Sequence, residues 1–136
     1  MAYVVLVAWA IQAAVGALLL ARWLRGARPS ARLVVAHVAL GFLIVALWLV
    51  FLTTSSLVAA WLAFAAMSIG NAIGDTMLIR RWRRMRGSTA GYWADYGGAI
   101  GAVFRGAMPP RVTFHALFAG VVYFLALGVT IGASVA

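Results

Sequence analysis

Hydrophobic residues fill four long runs of the chain, and polar residues collect in the connections between them. The runs cover residues 3–23, 33–52, 57–79 and 111–134. A helix needs about 20 apolar residues to cross the roughly 30 Å hydrocarbon core of a bilayer, and each run meets that length. The pattern predicts an all-α membrane protein, a four-helix up-down transmembrane bundle that forms a single domain over residues 1–136.

The connections differ in length and character. Residues 53–56 are two threonines and two serines, an uncharged turn short enough to make its flanking helices an antiparallel hairpin. The third connection, residues 80–110, is long, and aromatic and aliphatic residues recur in it at helical spacing between Tyr92 and Phe104. This spacing predicts a short interfacial helix held at the headgroups by its aromatic rings. A surface that docks a partner is the alternative, and the sequence does not separate the two.

The distribution of arginine predicts the orientation. The chain carries eleven Lys+Arg and two Asp+Glu, for a net charge of +9, and every one of the eleven is arginine. All of them lie in the first and third connections or at their edges, so the positive-inside rule predicts N-out/C-out topology with a cytoplasmic loop 80–110. We expect these arginines to meet anionic lipid headgroups rather than nucleic acid, because they border the hydrophobic runs.

Composition also excludes several kinds of chemistry. There is no cysteine, which rules out disulfides, iron–sulfur clusters and Cys-ligated zinc. The sequence has no Walker loop and no His-Glu-x-x-His motif. A small transporter is disfavoured, because neither carboxylate lies at mid-membrane depth, where transporter sites usually form.

The chain has two histidines, and their positions are matched. His37 follows Arg32 by five residues on the second helix, and His115 follows Arg111 by four residues on the fourth. Both helices begin at the predicted cytoplasmic face, so the imidazoles are expected at nearly the same depth. In an up-down bundle these two helices are diagonal neighbours, which leaves room for a metal plane between the imidazoles.

This arrangement predicts bis-histidine ligation of one haem b by His37 and His115. Small residues such as Gly41 and Ala119 follow each histidine by one turn and would leave a slot for the porphyrin. Arg32 and Arg111 are the expected partners of the haem propionates. Two other interpretations remain open: a mononuclear metal or proton-relay site, and structural histidines that only form hydrogen bonds between helices.

Helix three carries a second polar group, in which Ser68, Asn71 and Asp75 form one stripe. We expect Asp75, with Asn71, to orient a ligating imidazole without binding the metal itself, by accepting the Nδ1–H of that imidazole. Asp75 is equally suited to taking protons from the cytoplasm. A simple ion pair of Asp75 with a neighbouring arginine is the structural alternative.

With His37 and His115 on two helices, the chain resembles small four-helix membrane cytochromes b, which hold haem between facing histidines. It is also similar to actinobacterial four-span membrane proteins that carry His-x-x-x-Gly on one helix, here His37 to Gly41, and His-Ala-Leu on another, here His115 to Leu117. The resemblance implies one haem, because two-haem relatives carry more histidines. It also implies a bacterial inner (plasma) membrane protein.

The leading functional prediction is a single-haem membrane electron carrier, or the haem-bearing anchor subunit of a redox complex, with a quinone or a redox subunit as partner. An electron carrier or a complex subunit is expected rather than a stand-alone enzyme. The alternative is a non-catalytic accessory or scaffold subunit of a larger membrane complex. Such a subunit would form homo- or hetero-oligomers through glycine faces such as Gly128-x-x-x-Gly132.

Overall fold

The computed structural model describes residues 1–135, and within that range the chain forms five α-helices and no strand. The helices are α1 (Ala2–Leu24), α2 (Ala31–Thr54), α3 (Leu57–Arg86), α4 (Tyr92–Phe104) and α5 (Pro110–Val135). Of these, α1, α2, α3 and α5 are long and apolar enough to cross a membrane. The helix predicted in the third connection is present as α4.

The predicted helix boundaries are close to the observed ones except at the end of α3. That helix continues to Arg86, well beyond the predicted end at residue 79. Arginine is a good helix former, and cations in a last turn interact favourably with the helix dipole, so the basic run extends the helix instead of ending it. Gly87 then ends α3 in the left-handed conformation, with φ of 63°.

The turn between α2 and α3 is short and well defined. Ser55 adopts a left-handed conformation with φ of 56°, and the next residue, Ser56, is the N-cap of α3. The Ser56 hydroxyl accepts a hydrogen bond from the Ala59 amide at 3.4 Å. A turn of this length makes α2 and α3 antiparallel neighbours, and they form the most extensive helix pair in the bundle.

The four long helices form a ring in the order α1, α2, α3, α5, each packing against the next. Consequently α2 lies diagonally opposite α5, and α1 lies diagonally opposite α3. This is the diagonal relation expected of the two helices that carry the histidines.

Two hydrophobic clusters fill the bundle. The larger one surrounds Trp48, which is 1% exposed and donates from Nε1 to the Ala2 carbonyl at 3.2 Å. The smaller one joins Leu78 and Ile79 of α3 to α4. Along α3 the two clusters are separated by the segment that contains Gly70 and Gly74, and the histidines pack at this level.

A buried carboxylate fastens α4 to α3. Asp95 is 1% exposed and accepts hydrogen bonds from the hydroxyl of Ser88 and from Nε of Arg83. The Ser88 hydroxyl and the Arg83 guanidinium together hold the pKa of the Asp95 carboxyl below its usual value. Since Asp95 is the one charged residue of α4, the remaining surface of this helix carries no charge.

Candidate functional site

The two histidines, both half-buried, meet between the helices of the bundle. The ring centroids of His37 and His115 are 6.2 Å apart, and the ring planes are inclined at 69°. Because α2 and α5 do not pack against each other, the imidazoles span the diagonal of the ring of helices. The structure therefore brings together the two residues on which the sequence prediction rests.

One nitrogen of His37 has a defined role. Its Nδ1 lies 3.0 Å from the carbonyl oxygen of Gly70 on α3. A carbonyl oxygen can only accept, so Nδ1 carries the proton, and in the neutral imidazole Nε2 then has the lone pair. This is the tautomer that ligates a metal through Nε2.

His115 is held differently, through its main chain. The carbonyl oxygen of His115 accepts a hydrogen bond from Nε2 of Gln12 on α1 at 2.9 Å. The imidazole Nδ1 of His115 is buried without a hydrogen-bond partner among residues 1–135, and so is Oε1 of Gln12. A buried polar group without a hydrogen-bond partner lowers the stability of the folded protein by about 1–3 kcal/mol. These two atoms therefore destabilise this part of the bundle.

Each imidazole rests against a glycine of the neighbouring helix. A Cβ atom on Gly74 would stand 3.3 Å from Cε1 of His37, and a Cβ on Gly16 would stand 3.2 Å from Cε1 of His115. Both distances are shorter than ordinary van der Waals contact, so a side chain at either glycine would press on the ring. Glycine at these two positions is what admits the imidazoles to the interior.

The two glycine contacts are reciprocal between the halves of the chain. His37, in the α1–α2 half, packs on Gly74 of α3, and His115 of the second half packs on Gly16 of α1. In each half an arginine follows the glycine by six residues, Arg22 after Gly16 and Arg80 after Gly74. The two halves of the chain therefore share one arrangement, a glycine against an imidazole and an arginine six residues after that glycine. This repeat was not predicted from the sequence.

Gly16 was missed as a site residue, although the sequence holds a signal for it. It is the one glycine in α1, and it follows Gln12, the polar residue in the middle of that helix, by one turn. The spacing from Gln12 to Gly16 equals the spacing from Gly70 to Gly74.

In the structure Asp75 forms no hydrogen bond with His37 or His115. Its carboxylate accepts a hydrogen bond from the hydroxyl of Tyr96 on α4 at 3.4 Å, whereas the imidazole proton of His37 goes to the Gly70 carbonyl. Asp75 directly follows Gly74, and one residue turns a helix by about 100°, so its side chain leaves the face on which the imidazole lies. The charge of Asp75 raises the pKa of Tyr96.

The other two residues of the polar stripe on α3, Ser68 and Asn71, differ in their hydrogen bonding. The Ser68 hydroxyl donates to the Phe64 carbonyl at 3.0 Å and lies 3.2 Å from the Tyr123 hydroxyl on α5. Asn71 is half-buried and makes no side-chain hydrogen bond with any residue of the range 1–135. Asn71 directly follows Gly70, whose carbonyl is bonded to His37, as Asp75 directly follows Gly74.

Four further residues were predicted to belong to the site. No atom lies within 4 Å of a Cβ position on Gly41, so this glycine borders open space rather than the imidazole. Ala119 is half-buried, and Arg32 and Arg111 are exposed. In the described part of the chain neither arginine forms an ion pair, and no group of three or more His, Cys, Asp or Glu side chains is placed to hold a metal ion.

Comparisons of the chain with protein-family models, with curated proteins and with solved structures return no match.

Proposed function

We propose that the protein is a single-haem membrane electron carrier, or the haem-bearing anchor subunit of a redox complex, with His37 and His115 as the axial ligands of haem b. The observation that carries the proposal is the 6.2 Å separation of the two ring centroids. Bonds of about 2.0–2.1 Å from a metal to imidazole nitrogens place the centroids of two opposed rings roughly 6 Å apart. The pair therefore has the spacing of two ligands that share one metal ion.

The surroundings of the pair support a flat, apolar cofactor. The helices on either side of the diagonal, α1 and α3, carry Gly16 and Gly74 at this level, and each glycine leaves room for one imidazole to lie between the helices. The hydrophobic clusters above and below supply apolar walls. Arg32 and Arg111 lie four or five residues before the histidines and suit the propionates, because charge-assisted pairs with arginine are strong and directional.

Bis-histidine ligation favours electron transfer over oxygen binding, because a haem with two protein ligands has no open coordination position. The haem supplies the redox chemistry, and the chain supplies orientation, tautomer and an apolar environment. One haem near one face does not by itself carry electrons across the membrane. A quinone or a redox partner subunit would exchange electrons with it.

The proposal includes an orientation, with both chain ends outside and the arginine-rich connections in the cytoplasm of a bacterial cell. All eleven arginines border the α1–α2 and α3–α5 connections, and none borders the α2–α3 turn. Cytoplasmic connections of membrane proteins carry such an excess of positive charge. The same arginines would bind anionic headgroups of the inner leaflet.

In this orientation α4 lies at the cytoplasmic headgroup region. Trp93 is 79% exposed and Phe104 is 74% exposed, whereas the acidic Asp95 faces inward. A helix that faces water has its charges on the outer side, and α4 has the reverse pattern. Aromatic rings beside arginines suit the boundary between lipid and water.

One observation favours the accessory-subunit alternative. Gly128 and Gly132 of α5 have no atom within 4 Å of their Cβ positions, and they line an apolar groove with the start of α1 and Phe51 of α2. Small residues on a lipid-facing surface permit close approach of another membrane helix. Such packing is compatible with a haem site and would suit an anchor subunit.

The proposal is tested by the haem content of the protein. Expressed with a haem precursor and purified in mild detergent, the wild-type protein is expected to contain one haem per chain and to show a sharp α band when reduced. His37→Ala and His115→Ala should each abolish that band while circular dichroism shows the helices intact. A folded wild-type protein that takes up no haem would reject the proposal and favour the accessory-subunit alternative.

A further inference from the structure

We infer that Arg81, on α3, is the main binding partner of the haem propionates. This inference rests on the proposed haem site and adds a residue to it that the sequence pattern did not single out. Arg32 and Arg111 are exposed, so water and salt weaken their attraction for a carboxylate. Arg81 is half-buried, and its attraction for a carboxylate is screened less.

Burial distinguishes Arg81 from the other arginines. Nine of the eleven arginines are exposed, and only Arg81 and Arg83 are half-buried. Nε of Arg83 donates to the Asp95 carboxylate. Nε of Arg81 is buried and has no hydrogen-bond partner among residues 1–135. Because a buried cation without an anion destabilises the folded state, Arg81 is the arginine whose surroundings most require a bound anion.

Both acidic side chains of the chain already have other partners. The sequence contains two Asp+Glu in all. Asp95 is bonded to Arg83, and Asp75 accepts the hydroxyl of Tyr96. Neither carboxylate forms an ion pair with Arg81. An anion that pairs with Arg81 is therefore expected to belong to a bound molecule.

Arg81 lies on the face of α3 that contacts His37. The Gly70 carbonyl is bonded to His37, and the Cβ position of Gly74 lies 3.3 Å from the ring. The seven residues from Gly74 to Arg81 turn the helix to within about 20° of two full turns and advance it by about 10 Å. Side chains of a helix lean toward its N-terminus, which on α3 is the direction from Arg81 to Gly74. The guanidinium therefore leans from the arginine-rich end toward the level of His37.

The direction of the imidazole pair determines which end of the bundle the propionates face. The line that joins the two rings crosses the bundle from α2 to α5, so a flat group held between the rings lies along the helix axes. One edge of this group faces the hydrophobic cluster around Trp48, and the opposite edge faces the arginine-rich end. Charged propionates are costly to bury in an apolar cluster, so we expect their edge to face the end that holds Arg81.

Lipid phosphates are the other source of anions at this end of the bundle. Nη1 of the preceding residue, Arg80, donates to the Ser30 hydroxyl at 3.3 Å, so this part of α3 contacts the α1–α2 connection. Lipid phosphates have freer access to exposed arginines such as Arg84. A carboxylate that approaches from the histidines suits the half-buried Arg81 better than a headgroup does.

Comparison of haem b with its dimethyl ester tests the inference, because esterification removes both propionate charges and leaves the iron in place. Each porphyrin is titrated into cofactor-free protein in detergent, and binding is followed by the Soret absorbance. The ratio of the two affinities is compared between proteins, because partitioning into detergent is then the same for all of them. Arg81→Gln should lower the preference for haem b over the ester at least about tenfold relative to wild type.

Arg84→Gln is the matched control. It removes the same charge from an exposed position of α3, one turn further along, and should keep the wild-type ratio. An unchanged ratio in Arg81→Gln, or an equal loss of affinity for both porphyrins, overturns the inference. Should Arg81→Gln fail to fold, Arg81→Lys keeps the charge without the planar guanidinium and should lower the ratio in part. A wild-type ratio in Arg81→Lys would then overturn the inference.

The reduced α band separates this inference from the proposed function. Arg81→Gln leaves His37 and His115 in place, so its complex with either porphyrin should keep the sharp low-spin band. If folded wild-type protein binds neither porphyrin, the proposed function fails and the role of Arg81 fails with it. If both porphyrins give the band and Arg81→Gln keeps the wild-type ratio, the haem site stands and only the role of Arg81 is wrong.

Discussion

His37 donates from Nδ1 to the main-chain carbonyl of Gly70 at 3.0 Å, across the interface of the two most extensively packed helices. Because the acceptor belongs to the backbone, no single side-chain substitution removes it. The orientation of His37 therefore depends on the register of α2 against α3, which the short Ser55–Ser56 turn fixes. His115 has no such backbone acceptor, so the two imidazoles are expected to differ in how easily mutation disturbs them.

Adding a methyl group at the glycines should disturb the site. Gly74→Ala places a Cβ 3.3 Å from Cε1 of His37, and Gly16→Ala places one 3.2 Å from Cε1 of His115. Overpacking of an interior costs about 1–3 kcal/mol, more than the roughly 0.5–1 kcal/mol that alanine gains over glycine in a helix. Both variants should bind haem several-fold more weakly, as measured by haem titration.

Gly128→Ala is the matched control for these substitutions. No atom lies within 4 Å of its Cβ position, so the alanine should leave haem affinity unchanged and keep the helix-propensity gain. If Gly16→Ala and Gly74→Ala both bind haem as tightly as Gly128→Ala does, the rings do not depend on these contacts.

The docking of α4 should fail in acid. Hydrogen bonds from Ser88 and Arg83 lower the pKa of Asp95 below its usual 3.8. A carboxyl with a lowered pKa in the folded state stabilises that state at pH values above the unfolded pKa, and this contribution disappears as the pH falls through the folded pKa. The protection factors of the α4 amides, which are corrected for the intrinsic pH dependence of exchange, should therefore be constant near neutral pH and fall only below about pH 4.

Two substitutions check the cause of this acid transition. Asp95→Asn should give rapid α4 exchange at every pH, because the charge that pairs with Arg83 is gone. Ser88→Ala should move the transition to higher pH, because Ser88 is the main group lowering the pKa. Protection of α4 that is the same in Asp95→Asn as in wild type would show that another contact holds the helix.

Asp75 is expected to act on Tyr96 rather than on a histidine. The negative charge of Asp75 is the largest cause of the raised pKa of Tyr96, so Asp75→Asn should lower that pKa toward its ordinary value. An alkaline titration followed by tyrosinate absorbance measures the change, and Tyr96→Phe identifies the signal. A shift of the His37 ¹⁵N resonances in Asp75→Asn would instead restore the role first predicted for the carboxylate.

The orientation can be measured with single cysteines, since the natural sequence has none. Cysteines at Ala2, Ser55 and Ser88 would be labelled on intact cells with an impermeant maleimide. Ala2 and Ser55 are expected to react on intact cells, and Ser88 only after lysis, because arginine-rich connections stay inside. Labelling of Ser88 but not of Ser55 on intact cells would reverse the proposed topology.

The sequence was sufficient for the parts of the fold that depend on local pattern. Hydrophobic runs located the four long helices, and the uncharged turn identified the α2–α3 hairpin. The short α4 was predicted from the spacing of its aromatic residues. Helix order in the ring was also foreseen, because successive helices of an up-down bundle are neighbours.

What the sequence did not supply depends on rotation about the helix axis. Asp75 and Gly74 are adjacent in the chain, yet about 100° of rotation sends one to Tyr96 and leaves the other against His37. Gly41 was expected beside His37 because it follows that residue by one turn, but no atom lies within 4 Å of its Cβ position. The glycine that does contact His115 is Gly16, on a different helix. Contacts between helices decide such roles, and they are not encoded in spacing along one helix.

The central claim is that both imidazoles ligate one iron, and electron paramagnetic resonance of the ferric, haem-loaded protein tests it most directly. Two strong nitrogen ligands make ferric haem low-spin, so the wild-type protein should give a low-spin signal without a high-spin component. His37→Ala and His115→Ala should each replace that signal with a high-spin one or lose the haem. A low-spin signal that persists unchanged in the double variant would contradict the account.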